Sequence, residues 1–471
     1  MTLIAFVLYV TLIFGIGYAA SRYAMRTAED VHLSGRRHGT WTSAFSASAS
    51  TESGFVLLGM VGMGYAVGMN ALWIVPAGML GYWINWHLLG RKLRQRSEEI
   101  GAVTVPSFIR EVTGNTAVSR VAAIIASLLA IVFLTAYTTA QFSAAGKALS
   151  SQFEISHGAG VLFGAGLVVI YAGLGGFRAV AWSDNVQAIM MAFCLLAMPI
   201  IAVIAAGGPG VVMGRLEEID PNLVHIFHGA SGMGIFAAIV PWLMLALAYP
   251  GQPHAVARLM AVREGVRFGQ VYGVAAIWFA LVYSGAVILG MAARAAFSDL
   301  GTIGADPETA LPVLAAHFLP AVLVGVTVAA IIAAVSSTAD STLLSAASNV
   351  TVDGIQRSPW SQTVSILWLT RGVIVILGAL AAWLAMDETG MIFELVLYAW
   401  SGLGASLGPA VVYCALAGRP RAEAVLAGLV VGGTMAFSMH GHTYDLLMGF
   451  TAGILAIGMV HFIMARNGDD A

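Results

Sequence analysis

The run Ile331-Ile332-Ala333-Ala334-Val335-Ser336-Ser337-Thr338-Ala339-Asp340-Ser341-Thr342 sets hydroxyls and a carboxylate inside an otherwise apolar stretch. On a helix, Ala334, Ser337, Thr338 and Ser341 fall at i, i+3, i+4 and i+7 and share one face, which Asp340 borders. Oxygen dipoles and a carboxylate gathered where there is no water suit a small hard cation, because they replace part of its hydration shell. The residues alone also allow Ser and Thr to bond back to the preceding turn, or to join two helices.

The elements that must position this face are membrane helices. The chain has 471 residues, of which 59% are hydrophobic and only 10% charged, and its mean hydropathy of +0.86 excludes an ordinary soluble enzyme. Cys194 and Cys414 lie in separate apolar stretches, so neither a disulfide framework nor a metal cluster follows. The apolar run from Leu3 to Ala20 is a full span rather than the short core of a cleavable signal. Apolar runs long enough to cross about 30 Å of hydrocarbon fall near 2–20, 40–68, 71–90, 119–148, 157–175, 183–206, 232–250, 269–296, 318–350, 362–386, 391–416, 423–438 and 444–465. These thirteen spans predict an all-α integral membrane protein whose termini lie on opposite sides.

Charge supplies the orientation. Arg22, Arg26, Arg36, Arg37, Arg91, Lys92, Arg94, Arg96, Arg110, Arg120, Arg178, Arg258, Arg263, Arg267, Arg357, Arg419, Arg421 and Arg466 share one face, and only Lys147, Arg215 and Arg294 fall on the other. The positive-inside rule then puts the N-terminus outside and the C-terminus in the cytoplasm. Outer connections are acidic: Glu217, Glu218, Asp220, Asp299, Asp306, Glu308, Asp387 and Glu388. One missed helix would scramble this skew downstream of it.

Two spans carry interruptions. Span 2 holds Ser43-Ala44-Phe45-Ser46-Ala47-Ser48-Ala49-Ser50-Thr51-Glu52-Ser53-Gly54, and span 7 ends in Ala248-Tyr249-Pro250-Gly251-Gln252-Pro253-His254. Two prolines and a glycine do not fit a regular helix. Five spans separate the breaks, so spans 2–6 and 7–11 superpose as two five-helix units, and the odd number inverts the second. Paired breaks in inverted repeats point to a transporter's central site. The predicted organisation is a first helix and inner loop (1–39), one repeat (40–206), an outer loop (207–231), the inverted repeat (232–416) and two final helices (417–471).

Several motifs occur in order: Leu33-Ser34-Gly35-Arg36-Arg37 before the first break, Gly175 to Ala188 opening span 6, Gly251-Gln252-Pro253-His254, Ala333 to Thr338, and Tyr398-Ala399-Trp400-Ser401-Gly402-Leu403-Gly404-Ala405 in span 11. In these the chain resembles the sodium/solute symporter family, most closely its sodium/proline branch, well over spans 1–11 and weakly beyond. The resemblance implies a thirteen-helix topology and a LeuT-type 5+5 inverted-repeat core with helices 2 and 7 broken. It implies a main sodium site of the Ala49 and Glu52 carbonyls, the Ala334 carbonyl and the Ser337 and Thr338 hydroxyls. Asp184 matches a carboxylate that some members use at a second ion site, with Ser337, Asp340 and Ser341 beside it. Two carboxylates there require a cation or a shared proton, unless Asp184 caps span 6 and Asp340 meets an arginine such as Arg178.

The solute is expected between the breaks, at Ser50, Thr51, Ser53, Gly54 and Phe55 with Tyr249, Gln252 and Pro253. Trp242, Tyr137, Gln141 and Trp400 are second choices. Three positions depart from the branch: Glu52 replaces an apolar residue, Thr51 an aspartate and Leu245 a tryptophan. His440 and His442 sit in a short outer loop and Glu394 near the outer surface, all in water. Arg91 to Arg96 face anionic lipid headgroups rather than nucleic acid, and no phosphate-cradling loop supports ATP-driven transport. The sequence thus predicts a multi-pass protein of a bacterial-type inner membrane. It is not an enzyme and needs no cofactor beyond sodium as coupling ion. It imports a small organic solute, most plausibly an amino acid such as proline. A proton-coupled symporter is the alternative within the class. A membrane sensor is the alternative outside it, and one that must act through a partner, since no output domain follows the last span.

Overall fold

The computed structural model describes residues 2–22, 27–297, 306–354, 365–387 and 390–468. Arg26, Asp299, Arg357 and Glu388, used above for orientation, lie outside them. Among the described residues, ten helices are long and apolar enough to cross a membrane, and His157–Gly173 and Ala422–Ser438 are shorter apolar helices. Helix α1 (Thr2–Ser21) precedes α2 (Thr40–Thr51), where regular geometry stops. Glu52 has φ −88° and ψ 79°, and the chain resumes through a π turn at Phe55–Met60 into α3 (Val61–Val67). At Gly68, φ of 59° with ψ of −134° turns the chain toward α4 (Ile74–Trp83). A Cβ there would meet the Leu223 carbonyl, so the turn admits only glycine.

Helices α5 (Ala117–Phe153) and α6 (His157–Ala192) are started by Thr116 and Ser156, whose hydroxyls accept from Ser119 N and Ala159 N. The connection expected between spans 5 and 6 is helical: α6 runs on through residues 176–182. Ser183 and Asp184 are therefore interior, not capping, residues, and the Ser183 hydroxyl donates back to the Ala179 and Val180 carbonyls at 3.0 and 2.9 Å. Buried Ala179, Val180 and Ala181 favour continuing the helix over exposing a turn.

The second half opens with α7 (Gly234–Leu243), which tightens into a 3-10 turn over Met244–Gly251. Gln252 is extended, with φ −87° and ψ 104°, and α8 (Pro253–Met260) follows. Then come α9 (Phe268–Ala296), α10 (Ala321–Ser348), α11 (Ile366–Leu384), α12 (Ile392–Leu416), α13 (Ala422–Ser438) and α14 (Asp445–Gly468). Every residue of α10 from Thr327 to Leu344 is buried, packed against α1, α2, α5 and α6. Leu8 on α1, Ile376 and Trp383 on α11, and Met459 and Phe462 on α14 are exposed apolar side chains, as a hydrocarbon solvent requires.

A compact joint forms on the arginine-rich side. The Arg36 guanidinium donates to Ser97 Oγ at 2.9 Å, the Met260 carbonyl at 2.8 Å and the Ala102 carbonyl at 2.7 Å. His38 N donates to Ala261 O at 3.1 Å, and Arg263 N to His38 O at 2.8 Å. Burial pushes the His32 imidazole down to about 4. Burial, with the Arg258 and Arg178 charges, pushes His38 down to about 3. Above pH 6.5 both rings are neutral folded or unfolded, and their contribution is complete. Below it only the unfolded chain takes the protons, so stability is lost progressively as pH falls toward those values. At pH 5 the loss is about 2 kcal/mol for each ring. The unfolding midpoint in detergent is expected to drop between pH 7.5 and pH 5, and His32→Asn with His38→Gln to flatten that dependence.

Candidate ion and solute site

The hydroxyl face of α10 meets the end of α2. Ser337 Oγ lies 2.8 Å from the Ala49 carbonyl and 2.9 Å from that of Ala334, and Thr338 Oγ1 donates to the Ser50 carbonyl at 3.1 Å. Three oxygens of the Ser337 group thus share one hydroxyl proton, a surplus of lone pairs that suits a cation. Ser341 Oγ donates to Ser337 O at 2.6 Å. Ala49, Ala334, Ser337 and Thr338 are all fully buried. Glu52 closes the turn by donating its N–H to Ser48 O at 2.7 Å. Its side chain points elsewhere: Oε2 accepts from the Trp278 indole of α9 at 2.6 Å, and Oε1 has no partner.

Asp184, Asp340 and Ser341 join one bonded cluster, but the two carboxylates do not meet each other. Asp184 Oδ2 accepts from Ser46 Oγ at 2.6 Å and from Arg258 Nη2 at 3.0 Å. The same Nη2 donates to Ser341 Oγ at 2.8 Å. Asp340 accepts from Ser341 Oγ at 3.0 Å and from the Tyr171 hydroxyl, not from an arginine. Sequence reading counts Arg258 only among the inner-face charges. Its one visible signal is its place on the same face as His254, four residues back, just past the second break.

The solute candidates gather around aromatic rings. Phe55 stacks with Phe393 and tilts against Trp400, both at 5.3 Å, and Tyr249 meets Trp400 at 5.7 Å and Tyr82 at 5.3 Å. Ser50 and Thr51 are engaged: Ser50 Oγ donates to Ala47 O at 3.0 Å, and Thr51 Oγ1 pairs with the Tyr82 hydroxyl at 2.7 Å. Ser53 Oγ accepts from Phe55 N at 3.0 Å, and Gly54 N donates to Gln141 Oε1 at 2.9 Å. Pro253 opens α8 beside Gln252, whose two amide atoms are buried with no partner, as is the Tyr249 hydroxyl. Buried polar atoms are nearly always satisfied, so these atoms are candidates for contacts with a solute.

Trp242 donates from its indole to Asn70 Oδ1 at 2.9 Å, and with Phe393, Tyr398, Ser401, His440 and Asp445 it lines a cavity of about 790 Å³. His440, His442 and Glu394 are exposed. A second cavity, lined by His32, His254, Ser341 and Ser348, holds about 20 Å³.

The sodium:solute symporter family model matches residues 32–432. The chain is 31% identical to the sodium/proline symporter of Escherichia coli K12, over 100% of this chain and 94% of that one. It is 30% identical to the high-affinity proline transporter PutP of Bacillus subtilis 168, over 95% of each. Among solved structures, a Na+-coupled sialic acid symporter in a substrate-bound outward-open state matches with TM-score 0.79 and 17% identity, over 97% of this chain and 96% of that one. MHP1, a nucleobase-cation-symport-1 family transporter, matches with TM-score 0.58 and 14% identity, over 93% and 94%.

Proposed function

The chain belongs to the sodium:solute symporter family, and on that premise we propose that it couples inward sodium movement to the uptake of proline or a closely similar amino acid. It is a multi-pass membrane transporter rather than an enzyme. The observation that carries the reading is the oxygen-rich joint of α2 and α10, where the Ser337 hydroxyl lies within 2.9 Å of two carbonyls from different helices. In the proposal, the carbonyls of Ala49, Glu52 and Ala334 and the hydroxyls of Ser337 and Thr338 hold sodium. The solute lies against Ser50, Thr51, Ser53, Gly54, Phe55, Tyr249, Gln252 and Pro253. Because Ser50 and Thr51 have their hydroxyls engaged, their share is backbone and shape, and the specific contacts fall to Tyr249 and Gln252.

The architecture proposed with it has thirteen spans, the fifth and sixth joined by helical backbone within α6 rather than by a loop, an outside N-terminus, and two inverted five-helix units, 40–206 and 232–416, of LeuT type with helices 2 and 7 broken. Residues 1–39, 207–231 and 417–471 supply the first helix, the outer loop and the last two helices. The large cavity then faces outward, and the Arg36 joint closes the inner face. Sodium binding across α2 and α10 favours this state only if the ion's affinity differs between outward and inward arrangements. The membrane potential adds about 2.3 kcal/mol per charge per 100 mV. A second ion or proton at Asp184, Asp340 and Ser341 would have to displace Arg258 and the Tyr171 hydroxyl. We therefore propose one sodium ion per cycle. Proton coupling and the sensor are disfavoured by relatives named as sodium-coupled symporters.

Labelled proline uptake into proteoliposomes tests the reading. Uptake is expected under an inward sodium gradient, with a Hill slope near one in sodium, and to fall about tenfold or more in Ser337→Ala. Uptake driven by a pH gradient without sodium would overturn the coupling ion. Sodium-driven uptake of other amino acids but not proline would overturn the solute alone.

A further inference from the structure

Gln141 occupies a special place against the first helix break. Gly54 N–H can only donate, so the Gln141 side chain must present its carbonyl oxygen there, at 2.9 Å. That bond settles which way the amide faces. Its NH2 group is left buried and without a partner, while the residue itself is fully buried. The approach depends on Gly54 lacking a side chain: a Cβ would stand 3.2 Å from Gln141 Oε1 and 2.7 Å from the Ala144 Cβ.

Tyr137 lies one helical turn earlier on the same face of α5, with its ring 5.8 Å from His254 and 6.4 Å from Trp400. Its hydroxyl stands beside Ser53 and the Trp400 indole without completing a hydrogen bond to either. Trp400 in turn meets Tyr249 at 5.7 Å, so the unpartnered polar groups of Tyr137, Trp400 and Tyr249 follow one another from the turn of α5 next to Gln141. Of the groups left over there, the Gln141 NH2 and the Trp400 indole can only donate, the Tyr137 and Tyr249 hydroxyls donate or accept, and Gln252 offers both an NH2 and an oxygen. Obligate donors in a buried site complement an oxyanion, and the acceptor oxygens beside them leave room for the ammonium of the same amino acid.

We infer that Gln141 is a specificity-determining residue whose amide NH2 donates to the carboxylate of the transported solute, while its oxygen ties that contact to the Gly54 turn. The inference rests on the symporter reading and assigns a residue to the carboxylate of its amino-acid solute. It also links solute to ion, because Gly54 lies two residues from Glu52, whose carbonyl belongs to the proposed sodium site.

Gln141→Glu keeps an acceptor for Gly54 N–H but removes the donor and adds a like charge. Gln141→Met removes both. Sodium-dependent binding to purified protein would be measured with proline, prolinamide, proline methyl ester and a panel of other amino acids, with sodium-induced thermal stabilisation read on every variant. Wild type is expected to prefer acids to their amide and ester by tenfold or more. Gln141→Glu should retain the sodium response yet bind acids on the order of tenfold to a hundredfold more weakly, with the amide and ester changed far less. Equal weakening of acid, amide and ester would overturn the inference, since loss of shape alone does that. So would a Gln141→Glu or Gln141→Met protein that binds acids as wild type does. Preference for an acid other than proline would discard proline and leave Gln141's role standing. A wild type that binds no acid in sodium overturns the inference, and a retained sodium response in that protein spares the coupling.

Discussion

Asp184→Ala is expected to lower unfolding stability in sodium-free buffer by about 3–5 kcal/mol, because it strands a fully buried guanidinium. Arg258 has no exposed surface, and its other partners are neutral: Ser46 O and Oγ at 2.9 Å, His254 O at 2.9 Å and Ser341 Oγ at 2.8 Å. Those oxygens orient the cation but do not balance its charge, and hydrocarbon around the helices offers no water to replace the lost carboxylate. Arg258→Met strands Asp184 in the same way, leaving it only the Ser46 hydroxyl at 2.6 Å. The double variant Asp184→Ala with Arg258→Met removes both charges and is expected to recover most of the loss, so the cycle should show strong coupling. Thermal or denaturant unfolding in detergent measures all four proteins. Additive losses would show that the two side chains do not balance each other. A loss seen only when sodium is present would instead identify Asp184 as an ion ligand, and the single-sodium stoichiometry would fall with it.

How much of this was legible depended on whether the signal was local. The hydroxyl face of α10 could be read because Ala334, Ser337 and Thr338 follow helical periodicity, and the residues that meet it from α2 lie in the polar run that ends at the non-helical Glu52. The non-helical backbone at Glu52 and Gln252 has its local signal in the small polar run before Gly54 and in Pro250, Gly251 and Pro253. The continuation of α6 through residues 176–182 was not legible, because paired glycines and an arginine there mimic a connection while tertiary burial keeps the backbone helical. Partners across the fold were equally hidden. Arg258 meets Asp184 across 74 residues, and Trp278 meets Glu52 across 226. Nothing in the pattern around Thr51 says that Tyr82 will take its hydroxyl. Gln141 ranked as a second choice because an isolated glutamine on an apolar helix is ordinarily a packing or helix-joining residue. Only the Gly54 turn, placed against it by packing, gives its amide a direction.

Gly251→Ala should abolish uptake and lower stability by about 1–3 kcal/mol, the usual range for overpacking. A Cβ at Gly251 would run into the Leu403 carbonyl and lie 2.8 Å from the Gly404 Cα. Both obstacles are backbone of α12, which cannot rotate away as a side chain would. The two segments must therefore separate, and what separates is one wall of the proposed solute site: Tyr249 and Gln252 lie on either side of Gly251, and Trp400 lies on α12 one turn before Leu403. Widening that contact pulls Trp400 from Tyr249, now 5.7 Å apart, and carries the Gln252 amide off its aim. Gly273→Ala is the matched control, since it lies within α9 with nothing inside 4 Å of its would-be Cβ. There the change should leave uptake intact and add roughly 0.5–1 kcal/mol through helix propensity. Uptake and unfolding midpoints of the two variants are read side by side. If Gly251→Ala transports as well as Gly273→Ala, the close approach of α12 to the second break is not what shapes the solute cavity, and the contacts assigned to Tyr249 and Gln252 lose their support.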